Sequence, residues 1–180
     1  MFRKMRRFKQ LMSDERTAEV LTKATSGVLS LLGDDDYPYG VPISYIYMPA
    51  DCEACGASDC GDCKGFGTIY FHCAKSGHKF DAMAAHEKVS FTVIDQDQIV
   101  GEEFTTYFRS VIAFGRARRV EDWNDEFVKA HKDLCLKYWP EAPDEAIAKD
   151  IKKEGGPMAV FAIDIDHMTG KEAKELVGKA

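Results

Sequence analysis

The segment Thr68-Ile-Tyr-Phe-His-Cys-Ala-Lys-Ser-Gly-His-Lys-Phe-Asp81 constrains the fold more than any other stretch of the chain. Its alternation puts Tyr70, His72 and Ala74 on one face of a strand and Ile69, Phe71 and Cys73 on the other. The turn Lys75-Ser76-Gly77-His78-Lys79 then gathers backbone N–H groups, a hydroxyl, an imidazole and two ammonium groups where the amphipathic stretch Phe80 to Lys88 begins as a helix. A helix start beside a lysine favours an anion, and a barrel builds a phosphate cradle in this way. An ordinary strand–turn–helix with a solvated polar turn carries the same pattern, so the segment alone leaves both readings open.

At 180 residues the chain can bury a core without disulfide staples, and one domain spanning 1–180 is expected. Hydrophobic residues at 45% and charged residues at 30% are globular values, and no apolar run approaches a membrane span of roughly 20 residues. A net charge of −6 argues against a nucleic-acid partner, which needs a basic stripe. Basic residues do cluster at Arg3, Lys4, Arg6, Arg7 and Lys9, but without the apolar core of a secretory signal and with Asp14 and Glu15 close behind. The expectation is an N-terminal arm packed on the domain or a partner, in a cytoplasmic protein.

Ser13 reads as the cap of a helix whose apolar stripe is Ala18, Val20, Leu21 and Ala24, ending near Ser26-Gly27. Six strands follow: Val28 to Leu32, Tyr37 to Tyr47, Ile69 to Ala74, Lys88 to Ile94, Ser110 to Glu121 and Met158 to His167. Between the last two, Phe127, Ala130, Leu134 and Tyr138 recur at helical spacing until Pro140 breaks the pattern, which predicts two helices. The pattern implies a mainly β protein, a small barrel with appended helices.

Several stretches in one order carry a resemblance: Arg6-Arg7, Gly27-Val-Leu29, Tyr37-Pro-Tyr-Gly-Val-Pro-Ile-Ser-Tyr45, Ile69 to Ala74 with Gly77-His-Lys79, Phe104-Thr-Thr-Tyr-Phe-Arg-Ser-Val-Ile112, Phe114-Gly-Arg-Ala117 and His167-Met-Thr-Gly-Lys171. Together they resemble the nitroimidazole-resistance branch of the pyridoxamine 5′-phosphate oxidase-like flavoproteins, over nearly the whole chain. The resemblance implies a six-stranded split β-barrel with an N-terminal helix and a helical insertion before the last strand. It also implies a homodimer holding FMN in two clefts between the subunits.

By the same resemblance, Lys79 matches the phosphate-binding lysine, with His78 and the strand end Cys73-Ala74 beside it. Pro42, Ile43, Ser44 and Tyr45 match the strand whose backbone lines the flavin ring, and Arg109, Ser110 and Val111 a second stretch near the flavin. His72 stands where a histidine projects toward the cofactor or substrate pocket, and is the candidate catalytic residue. The chemistry agrees: a dianionic phosphate needs cations, which Lys79 and Arg109 offer, and the N1–C2=O edge of a flavin needs donors, which backbone N–H groups, Ser44 and Ser110 offer. Each has a plainer reading, Arg109 as a surface ion-pair partner, the serines as solvated strand hydroxyls and His72 as a hydrogen-bonded barrel histidine.

The chain departs from that family at Cys52-Glu-Ala-Cys55-Gly-Ala-Ser-Asp-Cys60-Gly-Asp-Cys63, an insertion at 51–67 where a short hairpin is usual. Two CxxC pairs form a metal signal: Cys52, Cys55, Cys60 and Cys63 would take Zn²⁺ tetrahedrally, while iron or disulfides would use the same sulfurs. Cys73 and Cys135 fall in strand and helix patterns and read as small buried hydrophobes. The function expected is an FMN-dependent oxidoreductase passing electrons from NAD(P)H to a small electron-poor substrate, a nitroimidazole among them. The competing readings are a non-catalytic flavin- or metal-dependent redox sensor and a heme-binding relative.

Overall fold

The structure, a computed structural model, describes residues 2–50 and 65–178, so the four loop cysteines Cys52, Cys55, Cys60 and Cys63 lie outside the described residues. Helix α1 (Asp14–Lys23) starts at Ser13, whose Oγ accepts the Arg16 N–H at 3.2 Å, and carries Asp14 and Glu15 in its first turn, where the helix dipole favours them. It ends at Lys23, short of the expected Ser26-Gly27 stop. Those two residues instead open the first strand, where a Cβ on Gly27 would strike the Phe91 ring.

Seven strands form one antiparallel sheet: β1 (Ser26–Leu32), β2 (Pro38–Ser44), β3 (Ile46–Met48), β4 (Thr68–Ala74), β5 (Lys88–Val100), β6 (Thr105–Arg119) and β7 (Met158–Glu172). Their order is β2-β1-β5-β6-β7-β4-β3. The expected count of six is corrected here, because the run Tyr37 to Tyr47 is two strands that pair at opposite edges of the sheet, β2 with β1 and β3 with β4. The break falls at Tyr45. Its N–H donates to the Tyr138 hydroxyl at 2.9 Å, and that hydroxyl lies 3.0 Å from the Tyr45 carbonyl and 2.6 Å from that of Thr25. A side chain has thus taken the backbone groups that a neighbouring strand would otherwise pair.

This break also fixes the curvature. Laid flat, the outer strands of a seven-stranded sheet would stand about 29 Å apart at about 4.8 Å per spacing. The chain from Ser44 to Ile46 reaches at most about 7 Å. The sheet must therefore roll until its two edges meet at Tyr45, leaving a barrel that is split rather than sealed. Tyr45 closes the interior: its ring is fully buried, packs edge-on against Phe91 and donates its hydroxyl to the Leu21 carbonyl at 2.7 Å. Tyr138→Phe is expected to lower the unfolding free energy by roughly 1–2 kcal/mol by stripping the Tyr45 N–H of its partner. Urea denaturation measures it, and an unchanged midpoint would show that the hydroxyl does not hold the break.

Leu29, Phe71, Phe91, Val93, Val111 and Phe161 fill the interior, with Val20 and Leu21 of α1 plugging one end. Close packing leaves β6 no room for a side chain at Gly115, where the pairing with β7 shifts register: a Cβ there would sit 2.4 Å from the Asp164 carbonyl oxygen. Helix α2 (His78–Ala85) follows β4. Helix α3 (Asp125–Tyr138) is capped by Asn124, which accepts the Phe127 N–H at 2.7 Å, and pairs with α4 (Asp144–Glu154), the two helices expected there. Phe127 and Ala130 of α3 lie on Val160, Ala162 and Tyr70, so the first half of β7 is buried on both faces.

The hairpin of β5 and β6 runs well past the expected strand ends. Residues Asp95 to Phe108 extend it as an arm whose tip exposes Ile99 (80%) and Phe104 (98%). The N-terminal arm folds back, with Phe2 stacked on His167 at 4.6 Å and the Met12 N–H donating to the Gly170 carbonyl at 3.0 Å. Among the described residues no helix is long and apolar enough to cross a membrane.

Candidate cofactor site

Strand β4 alternates as its sequence requires. Ile69 and Phe71 are fully buried in the barrel, while Tyr70, His72 and Ala74 face outward. β3 pairs with β4 only from Thr68 to Tyr70, so the strand edge from Phe71 to Ala74 lies open along the split. The chain just before Tyr45, Pro42 to Ser44, is paired with β1 and forms no ladder with β4 among the described residues. The other end of the split is fixed by His78, whose ring stacks on Tyr39 of β2 at 4.1 Å and 8°. Its Nε2 accepts the Asp34 N–H at 3.3 Å, so His78 pins α2 to the β1–β2 turn.

Gly77 makes the turn possible. Its φ of +104° lies in a region that only glycine enters freely, and a Cβ there would meet open space. The first turn of α2 has no side-chain cap. Lys79 stands in that turn, half-buried and without a carboxylate partner among the described residues, and its charge acts on both His72 and Cys73. Lys75, by contrast, is paired with Asp122 at 2.7 Å. Desolvation, then the neighbouring His131 and Lys79, hold His72 below the usual imidazole range, which favours the neutral ring. Burial pushes the Cys73 thiol up, away from thiolate chemistry.

His72, Cys73, Ala74, His78 and Lys79 thus stand together where β4 runs into α2, while Pro42, Ile43 and Ser44 lie on β2, which joins that end of the split through the stack of Tyr39 on His78. Tyr45 belongs to it through its backbone position only, since its ring is core and its N–H and carbonyl serve Tyr138. Arg109, Ser110 and Val111 are not gathered with them. They lie on β6, three strands from β2, so about 14 Å across the sheet from it. Arg109 is engaged with Asp95 at 3.1 Å and Glu172 at 3.6 Å, as its plainer reading anticipated. The Val111 side chain is fully buried. Ser110 is half-exposed and pairs with Ile94, at the base of the exposed arm.

Two features of the site escape the sequence. One is the Tyr138 hydroxyl, whose partners are 93 and 113 residues away. The other is His131 of α3, whose ring lies 6.2 Å from that of His72 at 23°. The helical spacing marks an inward face that includes neither the contact nor its chemistry. Further along the same outer face of β4, the Tyr70 hydroxyl donates to Glu126 at 2.8 Å, and Arg118 binds both Glu126 and Asp164. Burial and the Glu126 partner push the Tyr70 hydroxyl up to about 12, so it stays a donor.

A family model described as Pyridoxamine 5'-phosphate oxidase matches residues 13–172. No curated protein matches the sequence. Among solved structures, a conserved hypothetical protein from Mycobacterium tuberculosis superposes with a TM-score of 0.73 at 17% identity, covering 98% of this chain and 94% of its own. A candidate 5-nitroimidazole antibiotic resistance protein from Bacteroides thetaiotaomicron gives a TM-score of 0.63 at 17% identity, covering 90% and 86%. A FAD-binding protein from Mesorhizobium loti gives 0.61 at 23% identity, covering 91% and 96%. At these identities the likeness is one of fold.

Proposed function

Because the chain belongs to the pyridoxamine 5′-phosphate oxidase family, we propose that it is an FMN-dependent oxidoreductase, a homodimer that takes electrons from NAD(P)H and reduces a small electron-poor substrate such as a nitroimidazole. The observation that carries this reading is Lys79: a half-buried ammonium group with no carboxylate partner among the described residues, in the uncapped first turn of α2, beside an open strand edge. A cation and free helix N–H groups at one end of a split, with unpaired backbone along it, suit a phosphate joined to a flat ring.

Lys79 and the N–H groups of the first turn of α2 would bind the phosphate. The β2 segment Pro42 to Ser44 and the open edge of β4 would orient the ring, and Pro42, having no N–H, cannot recruit another strand to that edge. When bound, FMN would supply the hydride and single-electron chemistry that no side chain here provides. His72, neutral and facing outward beside Ala74, would hold a proton at an imidazole nitrogen for transfer to the reduced substrate.

Arg109 and Ser110 sit at the base of the arm that exposes Ile94, Ile99 and Phe104. An arm that exposes such apolar side chains is suited to burial by a second copy, which would carry these two residues toward the partner's split. The FAD-binding neighbour from Mesorhizobium loti supports a flavin, and the same fold carries both groups in a FAD and heme binding protein from Mycobacterium smegmatis. The absorption spectrum of the purified protein mixed with FMN, then NAD(P)H, then a nitroimidazole tests the reading. Flavin bands that shift on binding, bleach with the nicotinamide and return with the acceptor are expected. Protein that leaves the FMN spectrum and fluorescence unchanged would end the flavin reading; bound flavin that no acceptor reoxidises would end the enzymatic one.

A further inference from the structure

We propose that His131, Cys135 and Asp150 form a binding site for a divalent transition metal of the zinc class, with its open coordination position facing the cleft beside His72. His131 and Cys135 stand four residues apart on one face of α3, and Asp150 reaches them from α4. The His131 Nε2 lies 2.9 Å from Asp150 Oδ2, and the Cys135 Sγ lies 3.9 Å from the same oxygen. All three ligand atoms fall within 4.8 Å of one another. Ligands at about 2.0–2.3 Å from a tetrahedral zinc are roughly 3.3–3.7 Å apart, so small adjustments of three side chains would seat an ion.

The donor set decides the class of metal. One imidazole, one thiolate and one carboxylate are borderline to soft, which suits zinc, cobalt or nickel and disfavours magnesium and calcium. Burial points the same way. His131 is 3% exposed, and its Nδ1 is buried without a partner among the described residues. A leucine would fill the same space without leaving a buried polar atom unpaired, so packing alone does not account for the ring.

The site also has an entrance. A cavity of about 510 Å³ is lined by His72, Cys73, Ala74, His131, Asp150 and Glu154. Three protein ligands with such an opening leave the fourth position for water or a small ligand, the arrangement of reactive rather than purely structural zinc. The site is independent of the flavin reading and of the four-cysteine loop.

Cobalt(II) titration of the full-length chain under reductant tests it, because a thiolate–cobalt bond gives a charge-transfer band and tetrahedral cobalt gives visible bands. With Cys52, Cys55, Cys60 and Cys63 all changed to serine, one equivalent of Co²⁺ showing a single-thiolate band, displaced by Zn²⁺, is expected. Cys135→Ser in that background should abolish the band, and Asp150→Asn, at an exposed position, should weaken binding by at least about 10-fold without disturbing the far-ultraviolet circular dichroism. In the chain with its loop cysteines intact, Cys135→Ser should bind one equivalent of Co²⁺ fewer, a reading that survives if the serine background fails to fold. Cobalt stoichiometry in the intact chain unaltered by both Cys135→Ser and Asp150→Asn would overturn the site and leave His131 and Asp150 as a hydrogen-bonded pair.

Discussion

Lys79→Ala is expected to weaken FMN binding by roughly 10- to 100-fold, the worth of one charge-assisted contact to a phosphate. Riboflavin, which has the same ring and no phosphate, should bind wild type and variant alike. Fluorescence titration with both ligands therefore separates loss of a phosphate contact from damage to the split. Lys79 has no ion-pair partner among the described residues, so its removal should leave the thermal midpoint within about 1 °C. Equal losses for FMN and riboflavin would place the phosphate elsewhere, and no loss for either would remove Lys79 from the site.

The largest effect on stability is expected at Gly115→Val. Any Cβ there would meet the Asp164 carbonyl at 2.4 Å and the Ile163 Cγ2 at 2.8 Å, on an interior strand held by β5 and β7. Backbone cannot yield as a flexible side chain does, so the cost is roughly 3 kcal/mol or more, at the upper end of overpacking. For a chain of this length that corresponds to a thermal midpoint lowered by roughly 6–12 °C, or to insoluble protein. Gly156→Ala, where a Cβ meets nothing within 4 Å, is the control and should be close to neutral. Equal melting of Gly115→Val and wild type would show that β6 and β7 are not held as closely as the bulge requires.

Periodicity carried much of the fold. The alternation in Thr68 to Ala74 set Ile69 and Phe71 on one face and His72 on the other, because a strand's side chains have no other faces to choose, and the fold turned the first pair inward. The capping at Ser13 and the two helices between β6 and β7 were equally readable, since both rest on contacts within a few residues. The break in Tyr37 to Tyr47 was not. Pro38, Gly40 and Pro42 mark only its first half, nothing in the run singles out Tyr45, and what divides it there is a hydroxyl 93 residues away. The arm beyond Ile94 is hard to read from the sequence because Asp95, Gln96, Asp97 and Gln98 are unusual strand residues, although Thr105-Thr-Tyr107 after the Gly101 turn offers a β-branched signal.

The candidate site divides along the same line. Its phosphate end, Gly77 to Lys79, is a local motif, and a glycine with positive φ before a helix is a sequence-level necessity. Its walls are not local. The sequence by itself determined which residues share a face of β4, which turn needs glycine and which lysine stands at a helix start, because these follow from backbone geometry over a few residues. Only the tertiary structure decided that β2 and β3 sit at opposite edges of one rolled sheet. It decided, too, that Arg109 is paired with Asp95 and Glu172 rather than free, and that His131 and Asp150 stand beside His72. Those facts depend on which distant groups reach each other once the core has closed, and no short-range pattern encodes that.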